Sequence, residues 1–147
     1  MKERETFMTI THKWTLVCDE VRQENNGKFI VIGLYTPNLA IPQIPFTMPY
    51  LTFFTCLETD RPGDFQFRMK LTHLESGRTV WEGFGGMGVK QPGIGVLPIR
   101  LPSVQFQSAG VYTFSFTLVD QPVPLFTTDF AVILNLPAQE RGGPISG

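Results

Sequence analysis

The sequence predicts an all-β domain, an antiparallel β-sandwich of about eight strands with immunoglobulin-like architecture. Of the 147 residues, 42% are apolar and thirteen are Phe, whereas only 17% are charged. Segments of alternating polarity recur about every 8–12 residues with turn residues between them, which is typical of a sandwich or a barrel. No segment keeps the 3.6-residue period of a helix, and the length favours a single domain.

The first two strands are predicted to form a hairpin. A polar arm over residues 1–11 precedes a strand at residues 12–22. The second strand, at residues 28–35, is apolar at successive positions, as expected for a strand covered on both faces. Between the strands, Asn26-Gly27 favours a type I′ turn.

The middle of the chain alternates strands with segments rich in proline or glycine. Because proline cannot donate a hydrogen bond to a sheet, the four prolines of residues 36–49 predict an irregular crossing. The glycine-rich segment 83–95 is predicted to be a mobile connection or a glycine-softened strand edge. Strands are expected at residues 50–58, 64–74, 79–84 and 96–101, the last of them weak because it contains Pro98.

The last hairpin resembles that of immunoglobulin-like domains. Its strands are predicted at residues 110–118 and 125–136, and the Gly- and Pro-rich tail 137–147 is expected to be mobile. Tyr112 lies where such domains have a tyrosine whose hydroxyl bonds to the backbone a few residues upstream. The sandwich domain is therefore expected to span residues 12–136.

Charge and composition argue against several classes of function. The net charge is −1, so the chain lacks the basic excess expected of a protein that binds nucleic acid or an anionic membrane. The charged start Met1-Lys2-Glu3-Arg4 lacks the apolar run of a signal peptide, which predicts a cytoplasmic protein. Cys18 and Cys56 are then expected to stay reduced as small core residues.

No motif predicts a catalytic, cofactor or metal site. Asp19 and Glu20 are neighbours on a strand and point to opposite faces, so they are unsuited to binding one ion together. The turn at residues 60–64 lacks the ladder of oxygen ligands that calcium needs. An enzyme using His73 with Cys18 or Cys56 is the hypothesis with the least support, because no nucleophile motif accompanies the histidine.

Two binding hypotheses rank above an enzyme. The first is a non-catalytic interaction module whose partner is another protein or a second subunit of the same chain. Its candidate interface lies in the proline-rich segment, which alternatively folds back to cap the sandwich, and consists of Ile41, Ile44, Phe46, Met48 and Tyr50. The second is a small-ligand or carbohydrate binder with contacts from Trp81, Phe84 and His73, aided by Tyr50 and closed over by the glycine-rich loop.

Residues 18–35 resemble the N-terminal part of a family of uncharacterised bacterial proteins. The resemblance rests on Cys18 followed by two acidic residues, Arg22, the run Asn26-Gly27-Lys28, and a strand with Ile32-Gly33 and an aromatic end at Tyr35. It implies a bacterial cytoplasmic domain. The family has no activity to carry over, so the resemblance implies no functional residue.

Overall fold

The computed structural model describes residues 8–36 and 38–135, which form nine strands in two sheets and no helix. The strands are β1 (Ile10–Gln23), β2 (Phe29–Tyr35), β3 (Asn38–Ile41), β4 (Phe46–Thr59), β5 (Gly63–His73), β6 (Thr79–Val89), β7 (Gly93–Phe106), β8 (Gly110–Leu118) and β9 (Phe126–Leu134). Sheet A has the order β2-β1-β4-β7 and sheet B the order β3-β9-β8-β5-β6. The predicted all-β sandwich is confirmed, with one strand more than expected. In the described part of the chain, no helix is long and apolar enough to span a membrane.

The strand pairing agrees with the predicted immunoglobulin-like architecture. All pairs are antiparallel except β3 with β9, and β8 and β9 form the last hairpin. The Tyr112 hydroxyl donates a hydrogen bond of 2.6 Å to the carbonyl oxygen of Ser108, which confirms the predicted tyrosine corner. Phe53 of β4 stacks on Phe114 of β8 with ring centroids 4.0 Å apart, and this pair joins the two sheets at their centre.

The main core fills the space between the sheets because side chains alternate along each strand. In β5, Phe67, Met69 and Leu71 are buried, while Arg68 and Lys70 between them are exposed. Burying one such apolar side chain contributes about 1.5–3 kcal/mol. Hydrophobic burial from both inner faces therefore holds the sandwich together.

The first hairpin forms as predicted, but with a different turn, and β2 is not covered on both faces, since Ile30, Ile32 and Leu34 are exposed. Gly27 N–H donates to the carbonyl oxygen of Glu24 at 2.9 Å, and Gly27 has a φ of 89°. Among the described residues, Ser103 is the one non-glycine residue with a positive φ, so the φ of Asn26 is negative. The turn is therefore a type I turn followed by a left-handed glycine, not a type I′ turn.

The proline-rich segment is more regular than predicted. Residues 38–41 form β3, β4 begins at Phe46, and the four residues between them contain Pro42 and Pro45. Pro49 lies inside β4, where the pairing with β7 skips the pair of Pro49 with Ser103. The prolines thus occupy a bend and an irregular point of the ladder, where no backbone donor is needed.

The glycine-rich segment forms two edge strands, which agrees with the prediction of a glycine-softened edge and not with a mobile connection. Residues 79–89 pair with β5, residues 93–106 pair with β4, and three residues connect them. A Cβ atom at Gly83 would lie 2.6 Å from the Trp81 ring, and one at Gly85 would lie 2.7 Å from the Phe67 ring. The two glycines are required because aromatic rings cover them, a known way to stabilise glycine in a sheet.

The β1–β2 hairpin bends back over the outer face of sheet A. β1 stops pairing with β4 after the pair Cys18–Thr52. Phe54 of β4 pairs with Leu16, whereas Phe29 of β2 pairs with Gln23, seven residues further along β1. A straight hairpin would carry Phe29 about 23 Å along the strand from Phe54. The two rings are nevertheless 5.2 Å apart, so the hairpin must bend.

The bend coincides with an irregular point in the β1–β2 ladder. The pairing skips Asp19 and Gly33, and Gly33 has a φ of 70°. The Asp19 carboxylate fills the space where a side chain of Gly33 would lie, and it accepts a hydrogen bond from the Tyr35 hydroxyl. The Thr52 hydroxyl donates a hydrogen bond of 3.1 Å to the Asp19 carbonyl oxygen, which ties the bend to β4.

Candidate functional site

The five residues of the predicted interface do not form one exposed patch. Ile41 and Met48 belong to the main core, and Ile44 and Phe46 are half-buried against it. Tyr50 is exposed, with the Arg100 guanidinium 3.7 Å above its ring. Burial supports the alternative in which this segment packs onto the sandwich, because β3 and β4 alternate like the other strands.

The three predicted ligand contacts do not converge. Trp81 points between the sheets and covers Gly83. Phe84 points to the opposite face of β6 and is 73% exposed. His73 is buried at the end of β5, and Tyr50 lies on the other sheet.

His73 makes hydrogen bonds through both ring nitrogens. Nε2 lies 3.0 Å from the carbonyl oxygen of Ala109, and since a carbonyl only accepts, Nε2 carries the hydrogen. Nδ1 lies 2.7 Å from the Ser76 hydroxyl, which donates to it when the ring is neutral. The histidine thus joins the β5–β6 turn to the segment before β8.

The cysteines are separated from His73 by the main core. Both thiols are free and buried, on the outer face of sheet A beside Phe54. Cys18 pairs with Thr52, four residues before Cys56, so the two lie about 13 Å apart along β4 and form no disulfide. Burial raises the pKa of Cys18 to about 11 and also raises the pKa of Cys56. Because the thiolate is the reactive form, neither thiol is activated and the hypothesised His–Cys pair does not form.

The acidic residues of β1 have separate partners. Asp19 is bound by Tyr35, while Glu20 lies 3.2 Å from Arg22. Within residues 8–36 and 38–135, no group of three His, Cys, Asp or Glu side chains is arranged to hold a metal ion.

A small apolar cavity lies between the free edges of β6 and β7. We call it the β6–β7 slot. Its volume is about 200 Å³. Apolar side chains from both sheets line it, with Thr59 beside them and Lys90 and Gln91 at its rim: Leu57, Phe65, Met87, Val89 and Leu97.

Glycines on β7 keep the β6–β7 slot open. Gly93 and Gly95 pair with Thr59 and Leu57, so they occupy inward-facing positions of sheet A. A Cβ atom added at either position would meet nothing within 4 Å. Gly93 has a φ of 128° and needs glycine for that reason, whereas Gly95 does not have a positive φ. The fold therefore does not require a glycine at position 95, although glycine inside a strand costs about 0.5–1 kcal/mol.

Comparison with known proteins assigns the chain to a family. Residues 13–128 match the model of a family of unknown function, DUF6941. The chain belongs to this family. This confirms the prediction that the chain belongs to a family without an assigned activity.

Other comparisons leave the function of the DUF6941 chain undefined. No curated protein sequence matches it. One similar solved structure is the crystal structure of a beta-glucosidase from Kluyveromyces marxianus, with a TM-score of 0.44 and 15% identity. The match covers 68% of this chain and 15% of the beta-glucosidase chain, so the DUF6941 chain spans a small part of that protein.

Two further cavities of the DUF6941 chain are larger and more polar. One, of about 830 Å³, lies at the end of the sandwich between Met8, the β4–β5 turn and the β8–β9 turn. The other, of about 420 Å³, is a groove on the outer face of sheet B beside Arg68 and Lys70, walled by Pro122 and Pro124. No clustered nucleophile or metal-binding set accompanies either cavity in the described residues.

Proposed function

We propose that this DUF6941 chain is a non-catalytic binding module that accommodates one apolar side chain of a protein partner in the β6–β7 slot. The proposal rests on Gly95. Gly95 is exposed, and a Cβ added there would meet nothing within 4 Å, so a residue with a side chain would fit without a clash and would avoid the cost of glycine inside a strand. Glycine within a strand often marks a place where a ligand approaches closely.

The size of the β6–β7 slot favours one apolar group over a larger ligand. A cavity of about 150 Å³ lined by aliphatic and aromatic side chains binds benzene. Drug-sized molecules and cofactors occupy sites of about 300–1,000 Å³. At about 200 Å³, the slot suits one aromatic or branched aliphatic side chain.

The lining of the β6–β7 slot argues for a side chain rather than a sugar. Leu57, Phe65 and Leu97 offer no hydrogen bonds to hydroxyl groups, and burying an unpaired hydroxyl costs about 1–3 kcal/mol. Lys90 and Gln91 lie at the rim, where they suit the backbone next to an inserted side chain. The separation of His73 from both cysteines supports a role without catalysis.

The β6–β7 slot can be tested with a minimal side-chain probe. We expect N-acetyl-leucine amide to shift the methyl NMR signals of Met87, Val89 and Leu97, because its isobutyl group fits the slot. N-acetyl-alanine amide is the matched control and should leave these signals unchanged. Burial of one such side chain contributes about 1.5–3 kcal/mol, so the titration must extend to high millimolar probe concentration.

The substitution Gly95→Val separates binding from folding. We expect it to fill the slot, abolish the leucine-probe shifts and raise the free energy of unfolding by about 1 kcal/mol. Gly85→Val is the matched control on β6, and it should destabilise the fold because its Cβ would collide with the Phe67 ring. Unchanged probe shifts in Gly95→Val, or a loss of stability in that variant, would refute the proposed site.

A further inference from the structure

We propose that β6 pairs with β6 of a second copy of this chain, in an antiparallel two-fold arrangement centred on Gly86. The five strands of sheet B in each copy would then form one continuous sheet. This inference goes beyond the proposed function, because it concerns the edge of β6 and not the cavity behind it.

β6 is the edge strand best suited to accept another strand. It is the last strand of sheet B, has eleven residues, and contains no proline. β7 has Pro98, Pro102 and the positive-φ Ser103, while β3 has only four residues. Because proline removes a backbone donor and short strands offer few, β7 and β3 are protected against pairing and β6 is not. The remaining edge strand, β2, has seven residues and is interrupted at Gly33, which has a φ of 70°.

Side-chain sizes along β6 complement their own reversed order. In antiparallel pairing centred on Gly86, residues whose numbers add to 172 lie opposite each other. Phe84 then faces Gly88 of the second copy, Met87 faces Gly85, and Val89 faces Gly83. Every large side chain between positions 83 and 89 is thus placed opposite a glycine.

The charges at the two ends of this stretch also complement each other. Glu82 lies opposite Lys90 of the second copy, and the two-fold axis repeats this pair at the other end. In the described part of the chain, neither Glu82 nor Lys90 forms an ion pair within 4 Å, although Lys70 of β5 lies opposite Glu82. Opposite charges directly across a strand pair stabilise it, and like charges destabilise it.

Neighbouring registers lose the charge complementarity. Centring the pairing on Gly85 keeps Phe84 and Met87 opposite glycines but places Glu82 opposite Gly88 of the second copy. Centring it on Met87 places Glu82 opposite Pro92 and the two Met87 side chains against each other. Charge therefore specifies the register centred on Gly86, and side-chain size is compatible with it.

Gly86 itself is compatible with a contact at the two-fold axis. It points to the outer face of sheet B, and the nearest atom to an added Cβ would be the Phe65 carbonyl oxygen at 3.5 Å, an ordinary contact. The monomer thus has room for a side chain at position 86. Two such side chains would face each other directly across the axis, with Cβ atoms about 4.5–5.5 Å apart.

Charge reversal tests the proposed dimer through analytical ultracentrifugation over a concentration series. We expect the full chain to dimerise. Glu82→Lys places lysines opposite each other at both ends and should raise the dimer dissociation constant roughly tenfold. Lys90→Glu should have a similar effect through opposed carboxylates. The double variant Glu82→Lys/Lys90→Glu should restore the dissociation constant to within about twofold, since the pair is regenerated in reverse.

A second variant tests the axis independently. Gly86→Lys places two ammonium groups opposite each other and should abolish dimerisation, while its far-ultraviolet circular dichroism and thermal unfolding remain those of a folded sandwich. Gly95→Val should leave the dissociation constant unchanged, which separates the dimer from the slot. A wild-type chain that stays monomeric at every concentration, a dimer insensitive to Glu82→Lys, or a double variant that fails to recover would each overturn the proposal.

Discussion

Two apolar regions lie outside the main core, and one of them is covered by the chain while the other is open. On the outer face of sheet A, the hairpin bends back so that Phe54 and both cysteines are buried. Between β6 and β7, the slot stays open because Gly93 and Gly95 have no side chains to fill it. Both regions have aliphatic and aromatic linings, so hydrophobicity alone does not distinguish them.

The difference shows how a binding surface can be recognised in a fold with no catalytic motif. Over the covered region, local irregularities at Asp19 and Gly33 serve to bring the hairpin into contact with the sheet. At the open region, Gly95 gives up stability without any backbone requirement. A feature that lowers stability and that the fold does not need is a better sign of function than an apolar patch.

The largest expected effect comes from emptying the covered region. Phe54 contacts Trp14 and Phe29, with ring centroids 5.7 and 5.2 Å away. Phe54→Ala should lower the free energy of unfolding by about 3–5 kcal/mol, because it leaves a cavity under the hairpin. Urea denaturation would measure the loss.

A matched substitution in the open region should cost less. Met87→Ala removes a half-buried side chain whose surroundings already include the slot, so we expect a loss of about 1 kcal/mol. Equal losses in Phe54→Ala and Met87→Ala would contradict the distinction between a covered and an open region.

The bend of the hairpin is the next feature to test. Gly33→Ala should lower the free energy of unfolding by about 2–3 kcal/mol, because the residue has a φ of 70° and its Cβ would collide with the Asp19 carboxylate. Hydrogen exchange of the amides of residues 29–32 should also accelerate as the hairpin loosens.

Gly27 at the tip of the same hairpin is the control. Its φ is 89°, but an added Cβ would meet nothing within 4 Å, so Gly27→Ala should cost only about 1 kcal/mol. If Gly27→Ala were as harmful as Gly33→Ala, backbone conformation and not crowding at the bend would explain both.

Much of the main core and of the first hairpin was predictable from local sequence. Two-residue alternation identified β5 and β8, Asn26-Gly27 identified the first hairpin, and Tyr112 identified the corner before β8. These features depend on residues close together in the chain, where side-chain direction follows directly from strand geometry.

The open side was not predictable in the same way. Gly83 and Gly85 suggested a loop because glycine is uncommon inside strands. Their places in a strand depend on the rings of Trp81 and Phe67 that cover them, and Phe67 comes from the neighbouring strand. The β6–β7 slot likewise requires knowing that Gly95 lies across the sandwich from Met87. The signal available in the sequence was the alternation of glycine with Trp81, Phe84 and Met87, which is typical of a strand.

A further expected effect is a loss of stability at alkaline pH, to which Cys18 and Tyr35 of the covered region contribute. Burial raises the pKa of Cys18 from 9.0 to about 11, and burial together with the hydrogen bond to Asp19 raises that of Tyr35. Between pH 9 and 11 the folded chain therefore binds more protons than the unfolded chain, so the free energy of unfolding falls as pH rises. For Cys18 the loss should be about 1 kcal/mol near pH 10.

Thermal unfolding from pH 8 to 11 would measure this slope and the contribution of Cys18 to it. Cys18→Ala should flatten the pH dependence, because the titrating thiol is removed, even if it lowers stability at every pH. Gly95→Val should keep the wild-type slope, since no thiol or phenol lines the β6–β7 slot. If Cys18→Ala retained the full slope, the fold would not hold the Cys18 thiol in its protonated form. The covered region would then be more accessible to water than its packing indicates.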